Sequence, residues 1–176
     1  MISFENYTIR ALEQEDLVKF FDLVERNRSR LEDFFAGTVS KTQNIESTKI
    51  FLAESQHKKA QKTYFSYVIV DNSTDDFIAF FDLKNIDWSI SKTELGFYTD
   101  KDYAGKGITT KALNLFLGHC FKQYDFKKIF LRTHKSNKAA QALALRCGFK
   151  LEGKIRNDYK TTSGQLVDLM YYGLIP

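Results

Sequence analysis

The sequence predicts an α+β protein with helices packed on one mixed sheet, and three observations carry that expectation. Helical periodicity and strand-like runs follow the order strand, two helices, three strands, helix, strand, helix, two strands. Hydrophobic types make up 43% and aromatic types 15% of the 176 residues, enough for a sizeable core. The only proline is Pro176, so no Pro-rich linker divides the chain.

Taken in order, residues 7–12 read as an opening strand. Leu17, Phe20, Phe21 and Val24 recur at i, i+3, i+4 and i+7, one face of an amphipathic helix. Residues 27–37 read as a break with short helical potential around 31–35. Asn44 suits an N-cap for a helix over about 45–60, because its side-chain oxygen can accept a first-turn amide. Residues 64–71 and 77–83 are rich in aromatic and β-branched types and flank a polar turn, the pattern of a hairpin. Residues 93–99 extend it to a three-strand meander.

A long helix follows, with Ile108, Ala112, Phe116, Cys120 and Tyr124 on one stripe. Residues 128–133 form a strand. Residues 138–147 form an Ala-rich helix stopped by Gly148, and 149–155 and 167–173 close the sheet.

Several classes are excluded. The longest clean apolar run, 77–81, is far short of the ~20 residues that span a bilayer. The N-terminus carries Glu5 and Arg10 and no apolar h-region, so no secretory signal is expected and the expected location is cytoplasmic. Cys120 and Cys147 do not make a disulfide scaffold. Three histidines and two cysteines show no metal-ligand spacing, so no metal is expected.

Charge is asymmetric. Residues 1–100 hold 12 Lys+Arg and 17 Asp+Glu, a net of −5, whereas residues 101–176 hold 14 and 5, a net of +9. The basic half suggests a polyanionic partner, and the acidic half would tolerate a cationic one. The basic residues follow no stacking-platform or helix-turn-helix pattern, which argues against direct nucleic-acid binding.

The stretch YTDKDYAGKGITTKA (98–112) carries the chemistry. A strand runs into a loop with Gly105 and Gly107, and the loop opens a helix. First-turn amides have no internal partner and the helix dipole adds positive potential there. Glycines allow close approach of an anion, and Lys106 adds mobile charge. The pattern suits a pyrophosphate cradle; it also suits a plain helix-capping turn. Lys106 is followed by Gly107, so it is not a P-loop, and Thr110 stands where a Rossmann fingerprint needs a third glycine.

The positions Ala104, Gly105, Lys106, Gly107, Ile108 and Thr109 resemble motif A of the GNAT superfamily of N-acetyltransferases, Q/R-x-x-G-x-G/A, with departures at Ala104 and Thr109. SNKAAQALALRCGFKLEGKIR (136–156) is similar to the family's motif B. NRSRLEDFF and LVDLMYYGLI sit where the bacterial ribosomal-protein N-terminal acetyltransferases have similar sequence, so the likeness spans about residues 7–175.

This resemblance implies the GNAT fold: a mostly antiparallel sheet of about six or seven strands with about four helices. It implies a single N-acetyltransferase domain over 1–176, and a monomer or homodimer with no membrane partner. Acetyl-CoA is the implied co-substrate. The implied acceptor is a primary amine, most like the N-terminal α-amine of a ribosomal protein. Small-molecule amines and a non-catalytic acyl-CoA-binding module remain as alternatives.

The resemblance also places the donor where strands 93–99 and 128–133 splay apart. The backbone of Phe97, Tyr98 and Thr99 would pair with pantetheine, helped by Asn137, which could equally serve only as a helix cap. Lys106, Lys111, Lys135 and Lys138 would supply charge on the donor side, and the helices of the acidic half would help wall the acceptor site. Glu94, His134 and Asp158 are the candidate proton acceptors. Ala140 and Ala144 stand where relatives offer a proton donor, which leaves water to protonate the thiolate or, as alternatives, weak catalysis or an acid such as Tyr98 or Tyr159.

Overall fold

In a computed structural model, which describes residues 1–32 and 34–176, one eight-stranded sheet carries the fold. The strands are β1 (Ile2–Phe4), β2 (Tyr7–Ala11), β3 (Phe65–Asp71), β4 (Asp76–Asp87), β5 (Lys92–Thr99), β6 (Lys128–His134), β7 (Lys150–Lys160) and β8 (Leu166–Leu174). The α-helices are α1 (Leu17–Leu31), α2 (Ala36–Lys41), α3 (Ile45–Ala60), α4 (Ile108–Tyr124) and α5 (Lys138–Arg146). Strand order is β1-β2-β3-β4-β5-β6-β8-β7, and among these neighbours only β5 and β6 run parallel.

Each face of the sheet has its own core. Phe20, Leu23 and Val24 of α1 and Leu52 of α3 pack with Val68, Phe80 and Tyr98 on one face. The α4 stripe Ala112, Leu113, Phe116 and Cys120 packs with Ile78, Phe81, Leu95 and Leu131 on the other. Alternate strand residues serve the two cores, so most strands read as continuously apolar. Among the described residues no helix is long and apolar enough to cross a membrane.

The expected element order holds, with corrections. β1, of three residues, is too short to show a period and was not expected. The break at residue 27 does not occur: α1 continues to Leu31, and the short helix begins at Ala36 rather than spanning 31–35. Asp33, inside that expected segment, lies outside the described residues. Asn27 misled because it is polar, yet it is fully buried. Its amide donates to Leu23 O and Asp100 Oδ2, and its carbonyl accepts from the Lys101 amide. β4 and β7 also run several residues beyond the expected 83 and 155, with irregular pairing where each exceeds its expected length.

Candidate active site

β5 and β6 pair over only three positions, Lys92 with Lys128, Thr93 with Ile129 and Glu94 with Phe130. Beyond Glu94 they separate, as the resemblance implied. Residues 95–99 stay paired to β4 and turn their other edge to the gap. An open strand edge offers a row of amides and carbonyls that an extended ligand can complete. A cleft of about 1050 Å³ begins there, lined by Phe97, Tyr98 and Thr99, by the glycine loop, and by Asn137 and Ala140 of the α5 start.

The glycine loop is anchored from below. Asp100 Oδ1 accepts the Asp102 amide at 2.9 Å, while Oδ2 is held by Arg26 and Asn27 of α1. Burial pushes this carboxyl up, but the Asp102 amide, Asn27 and Arg26 outweigh it and hold it below the usual carboxylate range. Gly105 and Gly107 have φ of +77° and +82°, the left-handed region, and Gly107 caps α4. A Cβ on either would meet nothing within 4 Å, so the space over the loop is open to a ligand. Thr109 Oγ1 bonds Thr99 Oγ1 at 2.7 Å and ties the α4 start to the strand. Open space above first-turn amides suits a phosphate group.

Of the four cations expected around the cleft, only Lys111 lines it, joined by two arginines that were not expected. Arg30, Lys111 and Arg146 line it. Lys106 lies over the Tyr103 ring, 5.2 Å from its centroid, and neither Lys106, Lys135 nor Lys138 is among the lining residues. Ile108 is buried in the α4 core, so only its main chain is available. Arg30 comes from the acidic half, within NRSRLEDFF, the signal that could have pointed to it. Asn137 caps α5 through Oδ1, which accepts the Ala140 amide at 3.1 Å.

Between the splayed strands lies a cavity of about 140 Å³, lined by Lys84, Glu94, Gly96 and Arg132 and sharing Phe34, Phe35, Phe97, Asn137 and Ala140 with the cleft. A third, of about 280 Å³, shares Phe34, Phe35, Lys84 and Tyr159 with it and extends under α2 and α3 to Tyr64 and Asp82. Glu94 is 5% exposed; its Oε2 accepts from Asn85 at 2.7 Å and from Arg132 at 2.8 Å. Asn85 reaches it from the irregular part of β4, in a left-handed conformation that asparagine tolerates. Arg132 also donates to Asp158 Oδ2 at 2.6 Å. His134 lines the cavity, with Nδ1 against Ser136 Oγ and its ring near Phe34. Tyr159 O–H accepts the Ala36 amide at 2.8 Å, tying β7 to α2.

Residues of α2 and α3, helices of the acidic half, line the third cavity, but the charges that half contributes to the two cavities are balanced. From the N-terminal half come Lys41, Lys58 and Lys84 against Glu54, Asp82 and Glu94, an even balance. Net charge over 100 residues says little about the few that converge on a cavity. Asp82 beside Lys84 pushes that ammonium up, so it stays charged, and Asp82 also accepts from Tyr64. Tyr98 turns its ring into the core between Phe35 and Phe80 and buries its hydroxyl, which removes it as a substitute proton donor. Ala144 is fully buried and Ala140 lines the cleft, and neither carries a proton to give. Sequence reading missed Arg132, Asp82 and Lys84; nothing local distinguishes them from surface charge.

A forked parallel strand pair with an open edge, a glycine loop at a helix start and a polar cavity within the fork are the parts of an acyltransferase that draws on a phosphate-bearing donor. Residues 6–150 match the family described as Acetyltransferase (GNAT) domain. The chain belongs to that family and is an acetyl-CoA-dependent N-acetyltransferase. It is 30% identical over 173 residues to the provisionally named ribosomal N-acetyltransferase YdaF of Bacillus subtilis (strain 168), covering 97% of this chain and 92% of YdaF. It is 24% identical to the spermidine N(1)-acetyltransferase of Vibrio cholerae, covering 86% of this chain and 83% of that protein. Its fold matches a structure of RimL, a ribosomal L7/L12 α-N-protein acetyltransferase in complex with coenzyme A, with a TM-score of 0.90 at 19% identity over 98% of this chain and 95% of the other.

Proposed function

We propose that the chain, as a single N-acetyltransferase domain over residues 1–176, acetylates the α-amine of a protein N-terminus, with a ribosomal protein as acceptor. The names of its relatives divide between ribosomal and polyamine acceptors. The observation that favours the first is the pairing of the cavity's carboxylates. Glu94 and Asp158 share Arg132, Asp82 lies beside Lys84, and Glu54 faces Lys41 at 3.3 Å. A polyamine brings extra ammonium groups that need unpaired carboxylates and would have to displace resident cations. A protein N-terminus brings one ammonium, with a pKa near ~7.7–8.0, and loses its charge before reacting.

Acetyl-CoA, when bound, supplies an acyl group already activated as a thioester. The open edge of Phe97, Tyr98 and Thr99 hydrogen-bonds the pantetheine arm, and an N–H of that edge polarises the thioester carbonyl. The main chain of Ala104, Gly105, Lys106, Gly107, Ile108 and Thr109 cradles the pyrophosphate. Asn137 keeps its oxygen on the α5 cap and turns its amide nitrogen to the cleft. Glu94 takes the ammonium proton, with His134 and Asp158 at the same cavity as the other candidates. A thiol with pKa about 8.5 leaves without a dedicated acid, which accommodates Ala140 and Ala144.

Thiol release with three acceptors tests this reading: a peptide with a free N-terminus, the same peptide blocked at the N-terminus and carrying one lysine, and spermidine. The free N-terminus is expected to have the highest kcat/KM, by about tenfold or more. Preference for spermidine or the lysine would overturn it.

A further inference from the structure

We propose that Arg132 is a positioning residue of acetyl transfer, holding the Glu94 carboxylate aimed across the fork while Asp158 shares its charge. This rests on the reading of Glu94 as proton acceptor. Glu94 is the last residue of β5 paired to β6, and Arg132 lies on β6 just past that point, where no ladder bond joins the two strands. The Arg132 guanidinium bridges the gap, with one nitrogen on Glu94 Oε2 and the other on Asp158 Oδ2 of β7, beyond β8. Its Nε is buried without a partner among the described residues, so the two carboxylates alone fix the group.

The chemistry needs this arrangement. Glu94 is only 5% exposed, and burying a charged carboxylate costs free energy unless it is paired and hydrogen-bonded. A private arginine would cure that but hold the charge so firmly that the carboxylate became a poor base. One arginine shared by two carboxylates divides its charge between them, so neither takes its full pull. Lysine, a point charge, cannot span both partners as the planar fork does. The other polar or titratable groups facing Glu94 are Lys84 and Asn85 of β4, His134 of β6, Tyr159 of β7 and Tyr171 of β8.

Arg132→Gln, Arg132→Lys, Asp158→Asn and Glu94→Gln, with the Glu94→Gln/Arg132→Gln double variant, test the assignment through kcat, the pH profile of kcat/KM, calorimetric acetyl-CoA affinity and melting temperature. Arg132→Gln is expected to lower kcat about tenfold or more, keep acetyl-CoA affinity within about threefold, and move the acid limb to higher pH, because loss of a cation lets a carboxylate protonate earlier. Arg132→Lys should return the limb toward its parent position. Asp158→Asn should move it the other way. In the double variant, loss of Arg132 should slow Glu94→Gln no further than about twofold.

An Arg132→Gln enzyme whose acid limb stays at the parent pH, with any loss of rate following its melting temperature, overturns the proposal. If that variant does not fold, an unmoved limb in Asp158→Asn overturns it equally. A Glu94→Gln enzyme as active as the parent removes the Glu94 reading itself. An impaired Glu94→Gln beside an unmoved limb in Arg132→Gln removes Arg132 alone.

Discussion

On the side of the β5–β6 fork proposed for the donor the protein presents main chain: an unpaired strand edge, two left-handed glycines and the first turn of α4. On the side proposed for the acceptor it presents side chains: Lys84, Glu94, Arg132, His134 and Tyr159, drawn from four strands. The two solutions tolerate change differently. Amides survive substitution of their residues, so Ala104 and Thr109 can depart from the family's glycine-loop pattern without removing a donor. A side-chain constellation changes with every member, and that is where acceptor choice among relatives can diverge.

The largest expected effect falls on the acceptor side. Glu94→Gln keeps size and the hydrogen bond from Asn85 but cannot take a proton, so kcat should fall by ~10²–10⁴-fold with little change in KM for acetyl-CoA. The deficit should shrink as pH rises and more acceptor amine is already neutral. A variant within about twofold of the parent at pH 7 would break the assignment of chemistry to that side.

Gly107→Asp should strike the donor side selectively. Its carboxylate would project into the open space over the loop, and acetyl-CoA affinity should drop by about 100-fold or more in calorimetry. Aspartate is among the residues that accept φ near +82°, so the fold should persist at a cost of about 1 kcal/mol. Parent affinity in a normally melting variant would show that the loop does not hold phosphate.

Asn27→Ala sharpens the comparison by touching the donor loop from behind. It removes one donor to buried Asp100 and the acceptor for the Lys101 amide. Stability should fall by about 1–3 kcal/mol in denaturant melts, and acetyl-CoA binding should weaken, with kcat less affected. The acid response should be the smallest effect. Asp100 is held below its ordinary range and the unfolded reference is near ~3.9, so its contribution is full above about pH 4 and is lost as pH falls through the lower folded value. Asp100→Asn should flatten that part of the acid melting curve while lowering stability at pH 7.

Much of the fold and of the proposed donor side was legible in the sequence because it is local. The capping asparagine Asn44, the α4 stripe and the Gly105–Gly107 loop depend on residues within a few positions of one another, and each appears in the structure. Local reading failed at Asn27, whose polarity signals a break until its partners 73 and 74 residues away are known. Net charge over half the chain was no guide either, because the charges the acidic half brings to the cavities are balanced.

By itself, then, the sequence determined the order of the elements and the conformation of the glycine loop, because backbone preferences act over one turn of helix or one hairpin. The tertiary structure decided where β5 and β6 part and which charges meet across the gap. Glu94 and Arg132 are 38 residues apart and Arg132 and Asp158 are 26 apart. They converge because β7 pairs outside β8 and its irregular pairing between Ile155 and Tyr159 places Asp158 within reach of β6. Strand order and a one-strand irregularity are properties of the assembled sheet, and no short-range preference encodes them.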